Sequence, residues 1–106
     1  DNKEYKERIF PFLLKIYEQT DEYAKAFGLL KESPLASEGP YKRKMAVYKV
    51  LEGVQLAQKK EGKNARLLYK EALKYEPGCV YAHLYLGDSY LAEKRRDDAI
   101  EVWTRF

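Results

Sequence analysis

The sequence predicts an all-α chain of about six helices arranged as repeated antiparallel pairs. Three observations predict it. Met45, Tyr48, Leu51 and Leu56 keep helical spacing with no breaker before Gly62. Six Gly and four Pro in 106 residues are too few for an all-β domain rich in turns. The chain also repeats itself. Laying Gly53 on Gly87, a shift of 34 residues, places Leu56 on Tyr90, Ala65 on Ala99 and Tyr69 on Trp103.

The elements follow in order, with boundaries good to about 2–4 residues. The first helix covers 4–18, where Phe10, Leu13, Leu14 and Tyr17 form one face. Pro11 must kink it or mark its true start. The second covers 22–32, opened by Asp21 and carrying Ala26 and Leu30. Phe10 to Tyr17 followed by Ala26 is a weaker third copy, since Tyr17 to Ala26 equals Tyr90 to Ala99. Leu14 stands where the other copies have Gly, so this pair should pack less closely. A longer loop at 33–40 reads from Ser33-Pro34 to Gly39-Pro40. The third helix covers 41–61 and the fourth 63–75, stopped by Pro77. The fifth covers 79–93 and the sixth 96–106, with Asp97 in its opening turn.

The repeated residues have a shared physical use. A glycine inside a helix costs about 1 kcal/mol relative to Ala, so Gly53 and Gly87 need a reason. Close approach of the facing helix supplies it, with Ala65 and Ala99 as its small residues and Tyr69, Tyr90 and Trp103 filling the space beside them.

His83-x2-Leu86-Gly87-x2-Tyr90, then Ala99-x3-Trp103, resembles the tetratricopeptide repeat, a helix-turn-helix of 34 residues. The resemblance implies a right-handed α-solenoid, with repeats at about 7–33, 46–79 and 80–106. It implies a non-catalytic scaffold that binds a protein or peptide in a groove lined by the first helix of each pair. In that frame the groove residues are Val47, Val50, Val54 and Ala57 in the middle repeat. In the last they are Tyr81, Leu84, Asp88 and Leu91. This set is mostly apolar, with no Lys and Asn clamp for a terminal carboxylate. It suits a hydrophobic peptide, a partner helix or a neighbouring segment.

The run Lys74-Tyr75-Glu76-Pro77-Gly78-Cys79-Val80-Tyr81-Ala82, leading into Leu86-Gly87-Asp88-Ser89-Tyr90-Leu91-Ala92-Glu93, is similar to the lipopolysaccharide assembly protein B family. Leu13 to Gln19 and Tyr41 to Lys44 also resemble it. The resemblance implies a bacterial adaptor in control of lipopolysaccharide synthesis. It would be anchored to the inner membrane by a preceding helix, face the cytoplasm and be followed by a rubredoxin-like module. Its implied partners are an FtsH-type protease and an LpxC-type deacetylase. Asp1 at the start, and a last helix running to Phe106, are expected of a piece of a longer array.

Other chemistry finds little material. One cysteine excludes an internal disulfide framework and a zinc ribbon. Cys79 is expected to be a small buried residue at a repeat junction, and the single histidine, His83, a packing or surface residue. No cofactor or metal is expected, and no catalytic residues stand out. Asp21-Glu22 and Asp97-Asp98 are adjacent and so point to different helix faces, which favours capping over acid–base work. The net charge of +3 mixes 20 basic with 17 acidic residues, and no nucleic-acid partner is required. Lys94-Arg95-Arg96 and Tyr41-Lys42-Arg43-Lys44 read as solvated faces, with anionic lipid as a weaker use. No apolar run approaches a membrane span. Of the ten tyrosines, Tyr41, Tyr48, Tyr81 and Tyr85 are not required by the repeat; they serve either a binding surface or packing between repeats. On the last helix, Ala99 and Trp103 should pack inward. Ile100, Val102 and Phe106 would then form an edge through which the chain self-associates.

Overall fold

The computed structural model describes residues 2–105. Six helices follow one another: α1 (Asn2–Gln19), α2 (Tyr23–Lys31), α3 (Gly39–Gln58), α4 (Gly62–Tyr75), α5 (Val80–Ala92) and α6 (Arg96–Arg105). Among the described residues there is no strand. Each helix packs on the next, and α3 also packs on α5. The radius of gyration is 15.4 Å, against about 13 Å for a compact domain of this length. The extents of 55 × 27 × 15 Å describe the same elongated stack.

The turn inside each pair is built the same way three times. Asp21, Lys60 and Lys94 adopt positive φ of 57°, 65° and 61°. The next residue's N–H reaches back five positions in each: Glu22 to the Tyr17 carbonyl, Glu61 to Leu56 and Arg95 to Tyr90, at 2.8–2.9 Å. The left-handed residue's own N–H bonds the carbonyl three residues earlier, on Glu18, Ala57 and Leu91. This double bond pattern satisfies carbonyls that a helix end leaves open. The three turns are spaced 39 and 34 residues apart, 60 − 21 and 94 − 60.

Several boundaries differ from expectation for local reasons. The third helix begins at Gly39, because Pro40 fits a first helical turn, where no N–H is needed. It ends at Gln58 because Lys60 is left-handed. Pro11 lies inside α1 and is exposed, so it is not the helix start. Asp21 does not cap α2; it occupies the left-handed position of the preceding turn. Asp97 and Asp98 do fall in the first turn of α6.

Two apolar clusters hold the stack, and α3 belongs to both. Its Met45 and Tyr48 join Leu14, Ala26, Phe27 and Leu30. Its Ala46 and Val50 join Ala65, Tyr69, Ala72, Cys79, Ala82 and Leu86. A helix buried on two sides needs apolar residues around more of its girth, as α3 has. Cys79 is buried within the second cluster, as expected of a small junction residue.

Tyr48 links the first pair to α3, its hydroxyl donating to the Glu18 carboxylate. Burial, then this bond, pushes the phenol well above its ordinary value of 10. Burial also raises Tyr69. A raised folded value means that these groups contribute stability in full below about pH 10 and lose it as pH rises further. The urea midpoint should therefore hold to about pH 9 and fall beyond about pH 10. Tyr48→Phe should reduce that alkaline fall. An unchanged fall in this variant would refute Tyr48 as one of its sources.

Candidate functional site

One side of α5 is packed and the other is open. Ala82, Leu86 and Gly87 are buried, and Tyr85 stacks on Tyr69 with ring centroids 5.8 Å apart. Tyr81 (60%), Leu84 (48%) and Leu91 (43%) are exposed in helical succession. Asp88 is exposed on the same helix. The four residues expected in the last repeat's groove thus share an open, largely apolar stripe. Tyr81 and Tyr85 divide the two uses open to them: Tyr81 is at the surface and Tyr85 packs between helices.

The four expected on α3 do not stay together. Val50 is 2% exposed and belongs to the core, which corrects its placement on an accessible groove. Burial on α3 follows from the packing of α4 and α5 against it. A charge at Val50 would test folding and not binding. Val54 is half-buried against the same cluster. Ala57 is exposed near the helix end. Val47 is half-buried and lines a recess with Tyr48 and Leu51.

The end of α5 is fixed by Arg66, a buried arginine on α4. Its Nη2 reaches Glu93 Oε2 at 2.6 Å. Its Nε donates to Ser89 Oγ at 3.1 Å, and Nη2 donates to the Ser89 carbonyl at 3.2 Å. The guanidinium carbon lies 4.3 Å from the Tyr90 ring centroid, and that of Arg95 lies 4.8 Å from the same ring. The hydrogen bond from Arg66 holds Glu93 below the usual carboxylate range. Nothing in the spacing of Arg66, Ser89 and Glu93 marks them as partners before the helices are placed.

A second feature without a sequence signature lies at the other end of the stack. The helices α1 and α3 make no close backbone approach, although α3 and α5 do. The space between them forms a cleft of about 380 Å³, lined by Phe10, Leu14, Leu30 and Tyr41 among others. It adjoins the recess at Val47, of about 510 Å³.

The last helix is partly as expected. Ala99 is buried and Ile100 is 43% exposed. Val102 packs against the core and so is not an edge residue. Trp103 covers Gly87, yet remains 40% exposed. Phe106 lies outside the described residues. His83 Nε2 is 3.0 Å from the Pro77 carbonyl, beside the turn. Among the described residues no His, Cys, Asp and Glu side chains gather as a metal-binding group. No helix among them is long and apolar enough to cross a membrane.

Residues 56–103 match the tetratricopeptide repeat family model. No curated protein and no solved structure matches the chain. The matched segment runs from Leu56 near the end of α3 to Trp103, taking in Ala65, Tyr69, Gly87, Ala99 and Trp103 and leaving out Gly53. With six helices among the described residues and three turns of one geometry, the chain has an all-α fold of the tetratricopeptide-repeat type.

Proposed function

We propose that the chain is a non-catalytic scaffold that holds protein or peptide segments on the open face of α5. The observation that carries this is the exposed run of Tyr81, Leu84 and Leu91 on a helix whose opposite side is packed. Large apolar and aromatic side chains held on a rigid element supply binding area at little entropic cost. Tyr81→Ser and Leu84→Ser should each weaken partner capture by about tenfold while leaving helicity intact. Leu67, exposed on α4, is the control position. Capture lost in Leu67→Ser and kept in both α5 variants would move the binding surface to α4.

The similarity of Lys74–Ala82 and Leu86–Glu93 to the lipopolysaccharide assembly protein B family supports a narrower proposal. In it the chain is part of an inner-membrane adaptor working on the cytoplasmic side, between an FtsH-type protease and an LpxC-type deacetylase. Co-purification with both enzymes, sensitive to Tyr81→Ser, is the expected result; recovery of neither would remove the narrower proposal. Self-association through Ile100 and Trp103 is a further use of the exposed edge. Sedimentation over a range of concentrations reads it directly, and a strict monomer throughout excludes it.

A further inference from the structure

The cleft between α1 and α3 has a charge pattern that points to a particular occupant. The two helices meet only through long side chains. Phe10 stacks on Tyr41 at 6.0 Å between centroids, and Glu18 is shared by the Tyr48 hydroxyl and by Lys44 at 3.8 Å. Below them the floor is apolar, with Leu14 and Leu30 buried at its base. The adjoining recess continues along α3 to Val47 and Leu51. From Pro40 to Leu51 the two recesses follow about 16 Å of helix, enough for roughly three turns of a partner helix.

The rim is cationic. Lys15, Arg43 and Lys44 line the two recesses, and Glu18 is the one acid that lines them. Glu18 is already engaged by Tyr48 and Lys44. Lys15 and Arg43 have no ion-pair partner among the described residues. The α5 stripe differs in kind, since its charged member is the acidic Asp88. Two large apolar recesses beside unpaired cations complement a segment with large apolar side chains on one face and carboxylates beside them.

We propose that the α1–α3 cleft docks an acidic amphipathic helix, seating two of its apolar side chains in the recesses and turning its carboxylates to Lys15 and Arg43. This rests on the scaffold reading and gives the first-helix groove a second contact region, at the other end of the stack from the α5 stripe. Because α1 is joined to α3 only by side chains, the cleft can widen without breaking a backbone contact.

The test uses the whole chain and a fluorescent peptide of about 15 residues, a helix of four turns. The peptide carries Leu and Trp anchors flanked by Glu, and its C-terminus is amidated so that no terminal carboxylate contributes. A counterpart with Lys for Glu, and vesicles containing phosphatidylserine, complete the set. The acidic peptide should bind, and Lys15→Glu and Arg43→Glu should each weaken it by about tenfold at low salt. Both sites are exposed, and circular dichroism should show both variants folded. Tyr81→Ser should leave this affinity unchanged. Equal binding of the Lys counterpart, no binding of the acidic peptide, or binding of vesicles alone would overturn the proposal. Binding lost in Tyr81→Ser but kept in Lys15→Glu and Arg43→Glu would also overturn it, while sustaining the scaffold reading at α5.

Discussion

Gly53→Leu should cost about 3 kcal/mol or more of stability, at the top of the range for overpacking a core. A Cβ at Gly53 would stand 2.6 Å from Tyr69 Cε1 and 3.2 Å from the Ala65 carbonyl oxygen. Neither can give way easily. The carbonyl belongs to the backbone of α4, and Tyr69 is 2% exposed with its ring stacked on Tyr85. Gly53→Ala gains about 1 kcal/mol in helix propensity, which offsets part of the same clash. It should be destabilising by a smaller amount. Gly87 gives the contrast. Its nearest neighbours are atoms of the Trp103 indole, not Ala99 as the repeat pattern suggests. That ring is 40% exposed and can swing outward. Gly87→Leu should therefore cost about 1–3 kcal/mol, less than Gly53→Leu. Urea titration of the variants tests the ranking. A larger loss at Gly87 would show that Trp103 is as fixed as Tyr69.

The glycine positions were legible because they break a local rule. A helix interior disfavours Gly, so two of them at one interval demand a tertiary cause. The 34-residue period carried the helix count for the same reason. The turns were less legible. Lys60 and Lys94 occupy a left-handed position that usually signals itself with Gly or Asn, so the sequence pattern runs α3 three residues past its end. Val50 is buried and not on the groove because a first helix in this fold is not open along its whole inner face. Whether a residue on it is reached by solvent depends on the neighbouring pair, and α5 packs directly on α3. The cleft had no sign of its own. Leu14 in place of Gly predicts a looser pairing of α1 with α2, and that pair is the least closely packed of the three, but the separation of α1 from α3 is a different gap. Which cations would then face the gap depends on the angle of α1, which periodicity does not supply.

Arg66→Ala should destabilise the chain by about 2–3 kcal/mol, because it removes a buried hub and not a surface charge. The variant loses two hydrogen bonds to Ser89, the ion pair with Glu93 and the stacking on Tyr90 together. The Glu93 side chain is 30% exposed and can hydrate once its partner is gone, which keeps the loss below that of a wholly buried pair. Arg66→Lys keeps the charge but neither the planar fork nor the stack, so it should recover less than half of the loss. The damage should be local, because each pair in a helical stack touches only its neighbours. Amide exchange in α5 and α6 should accelerate more than in α2 and the first half of α3. The pH dependence separates the ion pair from simple packing. The folded state holds Glu93 below its ordinary value through the Arg66 hydrogen bond. That contribution is complete at neutral pH and is lost as pH falls from the ordinary carboxylate range through the lowered folded value. Between about pH 6 and pH 3 the wild-type urea midpoint should fall more than that of Arg66→Ala. Parallel acid limbs would show that Arg66 acts through packing on Tyr90 and its bonds to Ser89, and not through Glu93.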